Sequence, residues 1–151
     1  TTHILRGVWG SGANNVMVVG DGGTLLRSTD SGATWVKAQT NVTNNLYAIR
    51  GVAANDYYAV GATGTVLRST DGTTWAKLNF PDTGYTIYDV WGSAANDVYV
   101  STGITIYATK DSGQTWQRLS TSSVPYYYGI WGSASTDIYA VGSSGNVYHH
   151  P

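Results

Sequence analysis

Aspartate is the residue type with the greatest chemical potential in this sequence, although most of its copies have a structural explanation. All nine acidic residues are Asp, and six of them recur at two fixed positions of an internal repeat. Those six can accept backbone N–H bonds in tight turns. The three that do not follow the repeat are the candidate ligand-binding carboxylates, Asp21, Asp82 and Asp89.

Asp89 and Arg50 stand out because each replaces a different residue type in the other copies of the repeat. Asp89 occupies a position that holds Gly or Ala elsewhere, and Arg50 occupies a position that holds Trp. Asp89 is therefore a candidate ligand acceptor, and the alternative is a residue that only lines a solvated channel. Arg50 is a candidate to pair with a carboxylate or to stack on Trp.

Metal and cofactor sites are not expected. The chain has no Cys, and its three His residues are His3, His149 and His150. Neighbouring positions on a strand point to opposite faces, so His149 and His150 cannot readily bind one metal ion together. The sequence therefore predicts neither a metal site nor a cofactor.

The charge distribution argues against nucleic acid as a partner. The eight Lys and Arg residues are scattered, and the formal net charge is -1. Phosphate backbones require a basic cluster, which is missing from this sequence. No apolar run approaches the ~20 residues of a membrane-spanning helix, so membrane insertion is not expected. Few charges and many Thr, Ser, Asn and Tyr residues favour a secreted protein, extracellular or at the cell surface.

The elements that must position these residues belong to a repeat marked by Trp35, Trp75 and Trp116, which are spaced by 40 and 41 residues. Four copies can be aligned within one domain. Each contains short apolar runs separated by turns rich in Gly, Asn and Asp, a pattern typical of antiparallel strands. The predicted limits of the four copies are residues 3–45, 46–86, 87–126 and 127–151.

These strands are expected to form a β-propeller. Runs such as residues 16–19 are apolar at every position, so both faces of each sheet should be covered. Four-stranded sheets that repeat every ~40 residues are propeller blades. The sequence therefore predicts an all-β fold of about four antiparallel blades, the last without its fourth strand. The six Trp residues are expected to pack between blades.

The segment 28–35, Ser-Thr-Asp-Ser-Gly-Ala-Thr-Trp, resembles the Asp-box, or bacterial neuraminidase repeat, and altered copies occupy residues 69–75 and 109–116. This family includes sialidases, sortilin-type receptors and photosystem assembly factors. The resemblance implies a propeller in which the Asp-box joins the third and fourth strands, away from any active site. Its residues here are then structural, namely Ser28, Asp30, Gly32, Trp35, Ser69, Asp71, Trp75, Asp111, Gly113 and Trp116.

The count of strands predicts an incomplete ring. Four blades is at the small end of the range for propellers, and an uncovered blade would expose an apolar face and an unpaired edge. We therefore expect either a homo-oligomer or a piece of a larger propeller.

The loops opposite the Asp-boxes are the predicted binding surface, because Tyr beside Asn, Asp and Ser suits sugars and protein segments. They include residues 41–45, 82–85 and 122–127. The predicted ligand-binding residues are Asp21, Arg50, Asp82, Tyr85, Asp89, Tyr126 and Tyr127.

The favoured function is a non-enzymatic recognition module that binds glycan or protein through these loops. One alternative is part of a sialidase-like glycoside hydrolase whose active site is completed by further blades. Such a site needs three Arg residues and a Tyr nucleophile by resemblance, and the five Arg residues do not match that set. The other alternative is a structural or assembly scaffold.

Overall fold

The computed structural model shows an all-β chain, and the structure describes residues 1–119 and 126–151. Two short 3-10 turns, Asp21–Gly23 and Ser143–Gly145, interrupt the strands. The described residues form the strands β1 (Leu5–Gly12), β2 (Asn15–Gly20), β3 (Leu25–Ser28), β4 (Val36–Lys37), β5 (Leu46–Ala53), β6 (Asp56–Gly61), β7 (Thr65–Ser69), β8 (Ala76–Lys77), β9 (Ile87–Ala94), β10 (Asp97–Thr102), β11 (Ile106–Thr109), β12 (Gln117–Arg118), β13 (Tyr127–Ala134), β14 (Asp137–Gly142) and β15 (Val147–His150).

The strands form four separate antiparallel sheets, each following the order of the chain. Blade 1 contains β1 to β4, blade 2 contains β5 to β8, and blade 3 contains β9 to β12. Blade 4 contains β13 to β15, so within the described part of the chain it has three strands. The predicted arc of propeller blades, with a last blade that lacks its fourth strand, is confirmed.

The fourth strands are the shortest strands of the described blades. Each has two residues and begins one position after the repeat Trp, for example at Val36 after Trp35. The reason lies in the preceding turn, where the backbone N–H of Thr34 donates to the side chain of Asp30 instead of joining the ladder. The turn therefore extends to the residue before each Trp.

The blades pack face to face through three apolar clusters, one at each junction between neighbours. At the junction of blades 1 and 2, Met17 and Leu25 of blade 1 meet Ile49 and Leu67 of blade 2. Met17, Leu25 and Leu67 are completely buried, and each such side chain contributes about 1.5–3 kcal/mol. The core therefore lies between sheets, which explains why the strands are apolar on both faces.

The prediction that all six Trp residues pack between blades is wrong for two of them. Trp75 and Trp91 are buried, whereas Trp35 is 42% exposed and Trp131 is 55% exposed. Trp35 belongs to blade 1 and Trp131 to blade 4, the two blades that have a neighbour on one side only. These two side chains lie on faces that no other described residue covers.

No helix in the described residues has the length and apolar character needed to cross a membrane.

Candidate functional site

The inner strands β1, β5, β9 and β13 lie side by side and line the concave side of the arc. The residues that lead into an inner strand lie beside the connection between the second and third strands of the preceding blade. For example, the backbone N–H of Gly64 donates to the carbonyl of Tyr85 over 2.7 Å, and that of Tyr126 to Gly103 over 2.8 Å. One end of the arc is thus built entirely from these loops and from the first residues of the inner strands.

This end carries a row of side chains from one repeat position, the second residue of each inner strand. These residues are Arg6, Tyr47, Tyr88 and Tyr128. Together with the adjoining Asp21 and Tyr126 they form what we call the channel mouth. The Arg6 guanidinium lies 5.3 Å from the centre of the Tyr47 ring. The Tyr47 and Tyr88 rings are 6.2 Å apart, and Tyr88 meets Tyr128 edge to face at 5.2 Å. Tyr126 flanks the row, because it lies parallel to Tyr128 at 6.1 Å and borders Gly103 beside Tyr88.

The Tyr row (Tyr47, Tyr88, Tyr128 and Tyr126) is open to solvent at one end. Tyr126 is 47% exposed and Tyr128 is 50% exposed, whereas Tyr47 and Tyr88 are half-buried. Burial and the neighbouring phenols raise the pKa of Tyr88, so its hydroxyl stays protonated at neutral pH. The row therefore offers ring faces for apolar contact together with hydroxyls that donate and accept.

Arg6 and Asp21 form an ion pair at the blade 1 end of the Tyr row. Arg6 Nη2 donates to Asp21 Oδ2 over 3.0 Å, and Arg6 Nε donates to Asp21 Oδ1. The Arg6 guanidinium holds the pKa of the Asp21 carboxyl below its usual range. Two parallel bonds fix the plane of the guanidinium, and both groups remain charged at neutral pH.

A recess of about 280 Å³ lies deeper in the channel, between the inner strands, and contains Arg50 and Asp89. Asp89 Oδ1 accepts from the backbone N–H of Val90 over 2.8 Å, and Oδ2 from that of Ile130 over 3.0 Å. Burial raises the pKa of Asp89, while these two N–H groups and the Arg50 charge oppose the rise. The recess thus contains one half-buried carboxyl group and one guanidinium.

Asp82 and Tyr85 lie apart from the Tyr row, nearer the outside of the arc. Asp82 Oδ2 accepts from the hydroxyl of Tyr107 over 3.3 Å, and Tyr107 belongs to β11, the third strand of its blade. Tyr85 is 39% exposed. The structure therefore brings Asp21 and Tyr126 together at the channel mouth, places Arg50 and Asp89 beneath it, and leaves these two residues at its margin.

The prediction of Tyr127 as a ligand-binding residue needs correction. Tyr127 is 2% exposed and packs against Tyr148 at 6.0 Å inside the junction of blades 3 and 4. Successive side chains of a strand point to opposite faces, so it is the next residue, Tyr128, that faces the channel. Of the predicted loop 122–127, residues 122–125 lie outside the described residues.

Arg6, Tyr47, Tyr88 and Tyr128 were not predicted as site residues. The signal that would have found them is their shared position, one residue after the first apolar residue of each inner strand. Four large polar side chains at one position of a repeat must lie along one line of the assembled propeller.

The Ser–Asp turns (residues 28–34, 69–74 and 109–115) lie at the opposite end of the arc from the channel mouth. Ser31 Oγ bonds Asn14 in the turn between β1 and β2, which shows that these two kinds of turn share one end. Within the first turn, Asp30 Oδ1 accepts from Thr34 N over 2.9 Å, and Ser28 Oγ accepts from Gly32 N over 2.8 Å. The Asp carboxylates of these turns therefore have a structural use.

Two Arg side chains also form structural contacts. Arg68 Nη2 pairs with Asp56 Oδ2 over 2.6 Å, and Arg27 Nη1 donates to the carbonyl of Asp71 over 2.9 Å. The described residues contain no group of three or more His, Cys, Asp or Glu side chains that could hold a metal ion.

Comparison with known proteins adds family and fold information to this geometry. Residues 4–70 match the family model of the photosynthesis system II assembly factor YCF48, which covers less than half of the chain. No curated protein matches the sequence.

Three solved structures are similar in fold. A structure described as YCF48 bound to D1 peptide is 23% identical, with a TM-score of 0.79 over 95% of this chain and 49% of that chain. An ancestral GH74 enzyme is 18% identical, with a TM-score of 0.73 over 96% and 25%. The computationally designed Ika4 protein is 12% identical, with a TM-score of 0.80 over 99% and 91%. This chain spans about half the length of the YCF48 structure.

The expected extracellular or cell-surface location is wrong. The matched family model and the first of these structures belong to a photosystem assembly factor, not to a secreted or surface-displayed protein. The composition that suggested secretion, rich in Ser, Thr and Asn, is explained by the many turns of the blades.

The four sheets and the similarity to these solved structures show a β-propeller fold, and residues 4–70 are similar to the YCF48 assembly-factor family.

Proposed function

We propose that this chain is a recognition propeller without catalytic activity, which binds an extended protein segment across the channel mouth. The observation that carries the proposal is the Tyr row, four adjacent aromatic side chains with an Arg at one end. Aromatic rings and Arg are the side chains enriched where proteins recognise one another.

The dimensions of the row suit a short peptide. The steps from Arg6 to Tyr47, from Tyr47 to Tyr88 and from Tyr88 to Tyr128 are 5.3, 6.2 and 5.2 Å, so the site extends over at most roughly 17 Å, the length of about five residues in an extended chain. The phenol hydroxyls can bond the peptide backbone while the ring faces contact its side chains. Arg6 lies at the end of the row, where its charge favours an acidic residue of the ligand.

The comparison with YCF48 supports a protein ligand, because the matched structure is described as bound to a peptide. That similarity extends over nearly the whole of this chain. A role in the assembly of another protein is the corresponding biological proposal.

Glycan binding is the second candidate, favoured by the exposed rings of Tyr126 and Tyr128. Sugars stack on open aromatic faces. The parallel pair at 6.1 Å presents ring faces of that kind, but the edge-to-face contact of Tyr88 with Tyr128 interrupts the platform. The row therefore suits a segmented ligand, such as a peptide, better than a flat sugar ring.

A contribution to a glycoside hydrolase site is the competing enzyme proposal. Ordinary glycoside hydrolysis needs two free carboxyl groups about 5–9.5 Å apart. Asp21 is bound to Arg6, Asp82 accepts from Tyr107, and Asp89 holds two backbone N–H groups. Each carboxylate near the channel mouth thus has a bonding role already.

A peptide array, a glycan array and a glycoside hydrolysis screen on the same preparation distinguish these proposals. We expect saturable binding to a subset of peptides and no turnover. Turnover of a glycoside that Asp89→Asn abolishes would contradict the recognition role, and binding confined to the glycan array would replace the peptide by a sugar. The absence of any saturable ligand would leave a structural scaffold as the function.

A further inference from the structure

The first and last blades expose apolar positions that the inner blades bury. The leading face of a blade is the one toward the preceding blade, and the trailing face is the one toward the following blade. On the leading face, Val8 of blade 1 is 71% exposed, whereas Ile49, Val90 and Ile130 at the same repeat position are 2–6% exposed. Leu5, 47% exposed, shows the same contrast with its buried equivalents.

The trailing face of blade 4 shows the complementary exposure. Val147 is 68% exposed, although Leu25, Val66 and Ile106 at the same position are completely buried. Val141 is 50% exposed. An apolar face of this kind on a folded protein marks an interface.

A hydrogen bond that repeats between neighbouring blades is not made by the equivalent Tyr of blade 4, whose hydroxyl interacts with Asp137 of its own blade. The Tyr58 hydroxyl donates to the carbonyl of Ala95 in the next blade over 3.1 Å, and Tyr99 donates to Ser135 over 2.8 Å. Tyr139 occupies the same position on the trailing face of blade 4 and is 37% exposed. In the alignment of the repeats, Ala13 of blade 1 is equivalent to Ala95 and Ser135. The carbonyl of Ala13 would therefore be the acceptor for Tyr139 if a blade 1 followed blade 4.

Trp131 similarly lacks the slot that receives its equivalents. Trp9 lies against Gly51 of the next blade, where a Cβ atom would be 2.3 Å from the indole ring, and Trp91 lies against Gly132 in the same way. Trp131 is 55% exposed. The glycine at this position of blade 1 is Gly10, whose missing Cβ would meet only atoms of its own blade.

The Ser–Asp turns of blades 2 and 3 contact the preceding blade, whereas the turn of blade 1 has no preceding blade to contact. Gly72 lies against Met17 of the preceding blade, and Gly113 against Leu78. At Gly32 the nearest atom to a Cβ would be the Trp35 ring, 4.0 Å away. The Trp35 ring itself is 42% exposed, whereas Trp75 is buried against the preceding blade.

We propose that a second copy of this chain covers both faces. The leading face of blade 1 in each copy packs on the trailing face of blade 4 in the other copy. One chain carries both halves of the contact: Trp131 with the Gly10 slot, and Tyr139 with the carbonyl of Ala13. A leading-to-trailing contact made twice closes a ring of eight blades around a twofold axis. The arc spans 49% of the YCF48 structure, so two copies supply about the length of that chain.

Light scattering on the 151-residue chain at tens of micromolar tests the stoichiometry. We expect twice the 16.1 kDa mass of the chain, independent of concentration over a tenfold range. A mass of 16.1 kDa would overturn the proposal and assign the two faces to other blades. A mass that grows with concentration beyond the dimer would show open head-to-tail association and would overturn ring closure.

Paired cysteines test which faces meet, and the absence of native Cys leaves no background. Val8→Cys together with Val141→Cys should give a disulfide-linked dimer on a denaturing gel, because the first strand of each blade lies close to the second strand of the preceding blade. Linkage by the Val8→Cys single variant alone would show that two leading faces meet, which contradicts the proposal. Cysteine at Val36, which is 69% exposed but not on an end face of the arc, is the negative control.

A matched pair of charged variants separates loss of assembly from loss of folding. Val8→Asp should convert the dimer to a monomer with an unchanged β-sheet circular dichroism spectrum. Val36→Asp makes the same chemical change at similar exposure and should leave the dimer intact. Equal effects of the two variants would contradict the assignment of the interface.

Discussion

The carboxylate of Asp89 joins blades 3 and 4, because its Oδ2 atom accepts a hydrogen bond from the backbone N–H of Ile130 over 3.0 Å. No other blade has an acid at this position, where Gly7, Ala48 and Gly129 stand instead. Burial raises the pKa of Asp89. Folding therefore disfavours its charged form relative to the unfolded chain.

Asp89 should reduce the stability of the protein as the pH rises. A group whose pKa is raised by folding contributes its stability below the unfolded value and loses it as the pH rises through the folded value. The free energy of unfolding of the wild type, relative to Asp89→Asn, should therefore fall as the pH rises above the unfolded value near ~3.9. Urea denaturation of both proteins at several pH values measures this difference. A difference that is constant with pH, or that rises, would contradict the burial of a charged Asp89.

The Ser–Asp turns should produce the opposite pH dependence. Hydrogen bonds from Thr115 and Thr109 lower the pKa of Asp111 to about 2, and bonds within the equivalent turns lower those of Asp30 and Asp71. A lowered pKa stabilises the fold above the unfolded value near ~3.9, and this stability disappears as the pH falls through the folded value. Thermal unfolding temperatures should therefore drop between about pH 4 and pH 2.

Asp111→Asn isolates one of these turns. The variant should be less stable than the wild type at neutral pH, and the difference should shrink toward about pH 2 because the wild-type carboxyl becomes protonated. Melting curves of the two proteins across this range provide the measurement. If the difference persists at the lowest pH, the carboxylate bonds of the turn are not the source of the acid sensitivity.

A methyl group at Gly51 should destabilise the junction of blades 1 and 2. Its Cβ would lie 2.3 Å from the ring of Trp9, so the indole must move within a packed interface. Overpacking of this kind costs about 1–3 kcal/mol.

Gly12→Ala is the matched control, because nothing lies within 4 Å of a Cβ at that position. We expect its effect on the free energy of unfolding to be within about 0.5 kcal/mol. Chemical denaturation of both variants tests the pair, and a Gly51→Ala variant as stable as Gly12→Ala would show that Trp9 does not fill this slot.

The architecture was predictable because it is encoded redundantly. Trp35, Trp75 and Trp116 mark the period, and runs such as residues 16–19 are apolar at every position, as expected for sheets that are covered on both faces. The exposure of Trp35 and Trp131 was not predictable from residue type, because the repeat positions are identical and only the presence of a neighbouring blade distinguishes them.

The channel mouth was harder to predict because its residues follow the repeat instead of departing from it. Departures from the consensus identified Asp89 and Arg50, whereas Tyr47 and Tyr88 look like ordinary members of an apolar run. The choice between Tyr127 and Tyr128 depends on which face of the strand points to the channel, and this is settled only when the blades are assembled.

The affinity of the protein for its best-bound array peptide, measured by calorimetry with Tyr128→Ala and Tyr85→Ala beside the wild type, tests the central claim most directly. Tyr128 lies in the Tyr row, whereas Tyr85 is an exposed Tyr at the margin of the same end. We predict that Tyr128→Ala lowers the affinity at least about tenfold, as expected for an aromatic anchor, and that Tyr85→Ala leaves it nearly unchanged. Wild-type affinity in Tyr128→Ala, or an equal loss in both variants, would contradict recognition by the Tyr row.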